Sequence, residues 1–167
     1  DSVADLAVAD NGLVWIATNA GAGYYDPAQQ RWTKFREETT DGGLVSNQVT
    51  AVSIEGHTSI WFGTANGISH FQPEQPPAAQ WQPLQAANRV AENRIRALAQ
   101  APNGALWVGT PNGVSRYADD EWKTFTKQKT ANGLPDNFIQ AIIADADGIV
   151  WLGSNGKGIG RYVGTND

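Results

Sequence analysis

The chain is a tandem repeat marked by one tryptophan in each repeat. These tryptophans are separated by 46, 46 and 44 residues, and they are Trp15, Trp61, Trp107 and Trp151. A period in the mid-forties with one aromatic marker per unit is typical of β-propeller blades, whereas helical solenoids of similar period would show paired amphipathic helices. The repeat therefore predicts an all-β propeller, and it constrains the fold far more than the function.

Each repeat is predicted to form one four-stranded antiparallel blade. Its opening segment, for example residues 49–54, is rich in branched apolar residues, which suits an inner strand covered on both faces. Dipeptides such as Asn11-Gly12 follow and predict a type I′ hairpin with two positive φ angles. The marker tryptophan lies on the second strand, where we expect it to be buried blade core rather than a ligand platform. A third strand ends on an aromatic residue, and the fourth strand of the first three repeats carries Trp32, Trp81 or Trp122.

The predicted blades are residues 1–46, 47–92, 93–136 and 137–167. Because the sequence contains only five residues after Tyr162, we expect the fourth blade to lack its outer strand. Residues 78–100 have the alanine, glutamine and arginine content of a helix. The repeat register places strands there instead, and we follow the register because tertiary context overrides helix propensity of this size.

The composition excludes several classes of partner. The net charge is -5, and only 12 residues are Lys or Arg. Nucleic acids and anionic membrane surfaces require clustered basic residues, so neither is an expected partner. The longest apolar run is far too short to insert across a membrane. Since the chain contains no cysteine, disulfides and cysteine-ligated zinc are excluded.

No pattern in the sequence predicts a catalytic residue, a metal site or a cofactor. Asp145 and Asp147 resemble the start of a calcium loop, but an EF-hand loop requires further oxygen ligands and a glutamate at its twelfth position. Their places in the repeat are those of a hairpin turn. His57 and His70 are thirteen residues apart, with no carboxylate at a useful interval. We therefore expect both histidines to be solvated, in a loop or at a strand edge.

The repeat resembles the two-component regulator propeller repeat over essentially the whole chain. The resemblance is carried by the pattern Gly-x-x-Trp-x-Gly-Thr at residues 104–110 and by the lead-in Asn-Gly-Leu-Pro at residues 132–135. Repeats of that family form β-propellers, often seven-bladed, in the extracytoplasmic sensor regions of bacterial hybrid sensor kinases, where some recognise carbohydrates. The resemblance implies a binding role and an extracytoplasmic location, and it implies no catalytic residue.

A ligand is expected on one face of the propeller, which we call the loop face. This face carries the connections between second and third strands and those that lead from one blade to the next, namely residues 18–23, 36–47, 64–67, 85–93, 110–113, 126–137 and 154–158. Amide side chains suit neutral hydroxylated ligands such as sugars. The candidate ligand-binding residues are Asn19, Asn66, Asn112, Asn155, Asn47, Asn93 and Asn137. The alternative explanation is that asparagine tolerates the left-handed geometry of turns.

Asp5 departs from the pattern of the inner strands. The other repeats carry an alanine at this place, namely Ala51, Ala97 or Ala141. An unpartnered carboxylate is costly in a dry environment. Asp5 is therefore expected either to face a wet central channel or to be paired.

Three functions are compatible with these patterns. The first is a non-enzymatic module that recognises a glycan or peptide on the loop face. The second is a structural module that completes a ring with another copy of itself, since two chains of four units give a closed eight-bladed homodimer. A closed four-bladed monomer is the main rival to that dimer. The third and weakest is a hydrolase or lyase, for which the sequence offers no cluster of catalytic side chains.

Overall fold

The computed structural model describes residues 1–84 and 90–164, which form four antiparallel sheets. The first sheet contains β1 (Val3–Val8), β2 (Val14–Thr18), β3 (Gly21–Asp26) and β4 (Arg31–Phe35). The second contains β5 (Val49–Glu55), β6 (Ser59–Thr64), β7 (Gly67–Phe71) and β8 (Trp81–Leu84). The third contains β9 (Ala97–Gln100), β10 (Leu106–Thr110), β11 (Gly113–Ala118) and β12 (Glu121–Phe125), and the fourth contains β13 (Ile139–Ala144), β14 (Val150–Ser154) and β15 (Ile159–Tyr162).

Within each sheet, strands that are consecutive in the sequence pair with each other, as the blade pattern predicts. The only helical residues in the described ranges form two 3-10 turns, Glu37–Thr39 and Pro77–Ala79. The prediction of an all-β propeller with four tandem blades is confirmed, and within the described residues the last blade has three strands and no outer strand. The blade boundaries themselves remain a prediction, and their residues 85–89 and 165–167 lie outside the described part of the chain.

The helix-like stretch at residues 78–100 contains strands β8 and β9. Its alanines and glutamines favour a helix by only tenths of a kcal/mol each. Ile95, Ala97 and Leu98 are buried, and the backbone N–H of Arg96 donates to the carbonyl of Gly109 at 2.8 Å. Burial and pairing with β10 therefore decide the conformation.

The chain divides into two compact units, Asp1–Gln85 (unit 1) and Ala86–Asp167 (unit 2), each containing two sheets. In unit 1, β5 packs against β1 and β2. In unit 2, β13 packs against β9 and β10. A Cβ atom added to Gly109 would lie 2.8 Å from a methyl group of Ile139. The small residue two places after Trp107 thus allows the two sheets of unit 2 to approach closely.

Trp15, Trp61 and Trp107 are buried on second strands, as predicted. The prediction is wrong for Trp151, which is 40% exposed. The Trp15 ring packs against Phe62 of the following sheet, with 5.9 Å between ring centroids. The sheet that contains Trp151 is the last in the described residues, so no following sheet covers its ring. The indole N–H of Trp151 instead donates to Asp145 at 3.2 Å.

The first hairpin turn of the first, third and fourth blades also differs from its prediction, which did not extend to His57-Thr58 in the second blade. Only the glycine of each pair has a positive φ, at 83° for Gly12, 80° for Gly104 and 79° for Gly148. A type I′ turn would require two such residues. Two backbone hydrogen bonds close a three-residue loop. The N–H of Ala9 donates to the carbonyl of Leu13, and the carbonyl of Ala9 accepts from the N–H of Gly12. These bonds and the single left-handed glycine are typical of a type I turn with a G1 bulge.

Candidate functional site

The loop-face asparagines fall into two groups rather than one recurring position. Asn66 and Asn112 occupy the same place in their turns, where each backbone N–H donates to the hydroxyl of the threonine two residues earlier. Ala20 has this place in the first sheet. Asn19 and Asn155 occur one position earlier, and their backbone N–H groups donate to carbonyls at the start of the inner strand. Asn19, Asn66, Asn112 and Asn155 are all exposed.

The threonine that precedes these turns has a structural role that sequence reasoning missed. The hydroxyl groups of Thr18, Thr64 and Thr110 each donate to the carbonyl of the glycine three residues later, at 2.7, 2.9 and 3.0 Å. Each also accepts the backbone N–H described above. The threonine of the Gly-x-x-Trp-x-Gly-Thr pattern therefore stabilises the turn of the loop face.

Asn47 and Asn137 stabilise the connections between blades. The Asn47 carboxamide oxygen accepts from the N–H of Glu37 at 2.8 Å, and its nitrogen donates to the Glu38 carboxylate at 3.1 Å. The second bond lowers the pKa of the Glu38 carboxyl. The Asn137 carboxamide makes the equivalent bonds to the N–H of Lys127 and to Gln128. Both amides are thus engaged within the chain. Asn93 is exposed, and a ligand-binding role for all three remains a prediction.

Asp5 has a hydrogen-bond partner. One carboxylate oxygen accepts from the backbone N–H of Val52 on β5 at 2.9 Å, and the other accepts from the N–H of Leu6. The side chain is half-buried. Asp5 therefore connects the inner strands of the two sheets of unit 1, in agreement with the alternative that this carboxylate is paired. Exposure of Asp5 to a central channel remains a prediction.

Unit 1 contains a cleft between its two sheets, which we call the unit 1 cleft. It has a volume of about 420 Å³, and its aromatic walls are formed by Trp15, Tyr24, Phe35 and Phe71. It opens where the first hairpin turns lie, at the blade edge opposite the loop face. The Trp15 indole Nε1 is buried and has no hydrogen-bond partner among the described residues. This nitrogen is shielded from solvent, so Trp15 contributes to the packed wall of the cleft rather than an accessible donor.

The mouth of the unit 1 cleft is polar. The side chains that line it there are Asn11, Thr33, His57, Glu74 and Gln80. The Nδ1 atom of His57 lies 2.8 Å from a carboxylate oxygen of Asp10, and its Nε2 atom lies 3.6 Å from one of Glu74. Sequence reasoning missed this cluster because the carboxylates are distant along the chain. The signal was present, since Asp10 and His57 are 47 residues apart, about one repeat, on corresponding turns.

The His57 cluster lacks the further parts of a catalytic site. Within the described ranges, no hydroxyl nucleophile is hydrogen-bonded to His57, as an activated serine or threonine would be. No group of three or more His, Cys, Asp or Glu side chains in those ranges is arranged to hold a metal ion. The cleft combines aromatic surface with a mouth of neutral and charged polar side chains, which together suit binding of a neutral polar molecule.

His70 is buried in β7, against the prediction that it is solvated. Its ring stacks on that of Trp61, its cross-strand partner, with 3.8 Å between centroids and 2° between planes. Burial lowers its pKa to about 4, although a hydrogen bond to Gln82 opposes the shift. His70 is therefore neutral at pH 7 and belongs to the core.

Unit 2 contains a smaller groove, which we call the β15 groove. Its volume is about 160 Å³, and it is lined mainly by apolar residues, among them Trp107, Phe125, Gly133, Leu134, Leu152 and Tyr162. In the described residues β15 pairs only with β14, so its other edge is unpaired. The groove thus adjoins an open sheet edge.

None of the described residues forms a helix that is long and apolar enough to cross a lipid bilayer. No curated protein sequence matches the chain. The family model for photosynthesis system II assembly factor YCF48 matches residues 2–163.

Solved structures share the fold. The extracellular domain of a protein described as a hybrid two component system from B. thetaiotaomicron has a TM-score of 0.76 and 22% identity, over 99% of this chain and 22% of that one. Streptogramin B lyase has a TM-score of 0.67 and 16% identity, over 98% of this chain and 55% of the lyase. YCF48 bound to D1 peptide has a TM-score of 0.63 and 14% identity, over 97% and 52%. The chain thus spans about a fifth of the sensor domain and about half of the other two.

The structural likeness confirms the predicted resemblance to sensor propellers at the level of the fold. Identities of this size do not carry function, and the three proteins include both an extracellular sensor domain and a lyase. The family model, in contrast, covers nearly the whole sequence. The protein therefore belongs to the photosynthesis system II assembly factor YCF48 family.

Proposed function

We propose that this chain is a non-enzymatic propeller module that binds a neutral glycan in the unit 1 cleft. The observation that carries the proposal is the cleft itself, in which partly exposed aromatic rings adjoin a mouth of polar side chains. This site lies at the blade edge opposite the loop face favoured by the sequence. We further propose an extracytoplasmic location, by analogy with the extracellular sensor domain that has the same fold.

The chemistry of the unit 1 cleft favours a sugar over a charged ligand. Aromatic rings that are only partly buried, those of Tyr24 and Phe35, provide flat apolar surface for the C–H face of a pyranose, and 420 Å³ is within the range of small-molecule sites. The Thr33 hydroxyl and the Gln80 amide can exchange hydrogen bonds with sugar hydroxyls. Glu74 at the mouth disfavours an anionic ligand.

The cleft belongs to unit 1 alone. Tyr24 and Thr33 are cross-strand partners, and the corresponding pair in the third sheet is Arg116 and Lys123. The repeat therefore does not account for the polar composition of this cleft. A surface that differs between otherwise equivalent blades is where a specific function is expected.

A glycan array followed by calorimetry tests the proposal. Thr33→Val removes a hydroxyl at nearly constant volume, and we expect it to weaken binding of the best glycan about fivefold, because each lost hydrogen bond costs roughly 1 kcal/mol. Asn66→Ala and Asn112→Ala are matched controls on the loop face and should leave the affinity unchanged. Loss of binding in the asparagine variants alone would place the site on the loop face. Binding of peptides but not glycans would contradict the ligand class.

A second function, self-assembly into an eight-bladed ring, is favoured by two exposed apolar faces. On the first sheet, Leu6 and Val8 are 58% and 70% exposed. Their counterparts in the second sheet, Val52 and Ile54, belong to the core of unit 1. On the fourth sheet, Ile143 and Ile159 are 65% and 71% exposed beside Trp151. These two faces correspond to the two that pack together inside unit 1, so the fourth sheet of one copy can dock on the first sheet of another.

Light scattering tests this assembly. A homodimer would have a mass of about 36 kDa, twice that of the 17.9 kDa chain. Leu6→Lys should convert it to a monomer without unfolding, because Leu6 is exposed and a lysine there would be desolvated only in the dimer. A wild-type protein that remains monomeric at micromolar concentration would exclude the ring and favour the four-bladed monomer.

A further inference from the structure

The β15 groove corresponds to a position that unit 1 fills with a tryptophan. Trp81 on β8 lies among three aromatic rings of unit 1, with 4.6 Å between its centroid and that of Phe71, 5.3 Å to Phe35 and 5.9 Å to Phe62. It also covers Gly43, where an added Cβ atom would lie 2.4 Å from the Cβ of Trp81. We call this position the tryptophan seat.

The walls of the seat recur in unit 2. By strand register, Phe125, Leu152 and Tyr162 take the places of Phe35, Phe62 and Phe71. Gly133 takes the place of Gly43, because each follows a threonine by three residues and precedes a leucine whose N–H donates to that threonine. These unit 2 residues line the β15 groove. An added Cβ atom at Gly133 would meet no aromatic ring within 4 Å.

The open edge of β15 fits the strand that would carry such a tryptophan. In unit 1, β8 pairs with β7 so that Trp81 faces Phe71 and Leu84 faces Ile68. Tyr162 and Ile159 are the corresponding residues of β15, also three residues apart. Ile159 is 71% exposed, and no described residue pairs with it across the open edge of β15. An unpaired strand edge beside an apolar groove is a template for strand addition.

We propose that unit 2 binds an extended segment of another polypeptide with the pattern Trp-x-x-Leu or Trp-x-x-Phe, added as an antiparallel strand to β15. The tryptophan enters the β15 groove over Gly133, and the apolar residue three positions later covers Ile159. Backbone hydrogen bonds to β15 supply affinity, and the groove supplies specificity. This inference is independent of the glycan site, which belongs to unit 1.

A peptide with the sequence of residues 78–84 tests the proposal, because it contains the segment that fills the seat in unit 1. We expect it to bind the intact chain and to protect the β15 amides from hydrogen exchange. Replacing its tryptophan by alanine should weaken binding at least tenfold. Gly133→Ala places a methyl group in the groove, 3.1 Å from the Thr130 carbonyl, and should abolish binding while circular dichroism and the melting temperature change little.

Three results would overturn the proposal. The first is no binding or protection with either the peptide or a longer peptide that adds flanking residues. The second is equal affinity of the tryptophan and alanine peptides, or of the wild-type and Gly133→Ala proteins. The third is a homodimer that Gly133→Ala dissociates, since this would assign the groove to a second copy of the chain.

Discussion

The two units are built from the same repeat, but they differ where the outer strand of the second sheet belongs. In unit 1, Trp81 fills the space between Phe35 and Phe71. In unit 2 the corresponding space between Phe125 and Tyr162 is a groove of about 160 Å³. The repeat therefore specifies the strands of each blade. The packing between the two blades of a unit depends in addition on the outer strand of the second blade, which carries Trp81 in unit 1.

The same comparison shows how the contact between the two blades of a unit differs between units without leaving a buried polar group unpaired. In unit 1 the backbone N–H of Val45 donates to the Ser69 hydroxyl at 3.0 Å. The corresponding residues of unit 2 are Pro135, which has no N–H, and Gly160, which has no hydroxyl. A Cβ atom on Gly160 would lie 3.0 Å from the Pro135 ring. Donor and acceptor are therefore absent together, and neither is left buried and unsatisfied.

The largest expected effect compares the marker tryptophans of unit 2. Trp107→Ala should lower the free energy of unfolding by about 3–5 kcal/mol, because it removes a large buried side chain. Trp151→Ala is the matched control and should cost less than about 1 kcal/mol, since its ring is exposed. Denaturant titration of both variants measures the difference. Equal costs would show that the Trp151 face is covered in solution.

Acid should weaken unit 1 rather than unit 2, because the buried His70 belongs to unit 1. The pKa of His70 falls from 6.5 to about 4 on folding. The unfolded chain therefore binds this proton more readily, and stability present above pH 6.5 is lost as the pH falls towards 4. The full loss is roughly 3 kcal/mol, at 1.36 kcal/mol per pKa unit.

Hydrogen exchange as a function of pH measures this loss, by comparing amides of β7 with those of β14. His70→Gln keeps a neutral polar side chain and should remove most of the pH dependence between 6.5 and 4. If β7 and β14 lose protection equally in the wild type and in this variant, a group other than His70 is responsible.

Paired glycine substitutions probe the tryptophan seat in each unit. Gly43→Ala should cost about 1–3 kcal/mol, because its methyl group would overlap Trp81 at 2.4 and 2.6 Å. Gly133→Ala faces the open groove and should cost below about 1 kcal/mol. Melting temperatures of the two variants provide the test. A larger cost at Gly133 would mean that the groove is closed in solution.

The sequence was sufficient for the blades because each strand pairs with its neighbour and the tryptophan register recurs. It failed at Trp151 because burial depends on the sheet that follows, which no local pattern reveals. It also failed to find the unit 1 cleft. The cleft arises from residues that do not recur, such as Tyr24 and Thr33, and from Asp10 and His57 meeting across two blades.

The asparagines illustrate a further limit of reading function from recurring residues. An amide on a loop suggests a ligand, but those of Asn47 and Asn137 are engaged by the backbone of the preceding connection. The sequence alone cannot distinguish these hydrogen-bonded amides from an amide that is available to bind a ligand. Their partners ten residues earlier become apparent only once the connection is folded.

The smallest expected effect concerns Asp5, which connects the inner strands of unit 1 where unit 2 has Ala97. Asp5→Ala makes the two junctions alike and leaves the Val52 N–H without its acceptor at 2.9 Å. We expect a loss of about 1 kcal/mol, because the side chain is half-buried and water can partly replace the carboxylate. Asp5→Asn retains an acceptor oxygen and should cost less. Denaturant titration of the three proteins distinguishes these outcomes, and exchange of the Val52 amide reports the bond directly. If Asp5→Ala leaves both stability and this amide unchanged, the carboxylate does not connect the two strands in solution, and exposure to a channel becomes the better account of an aspartate at this position.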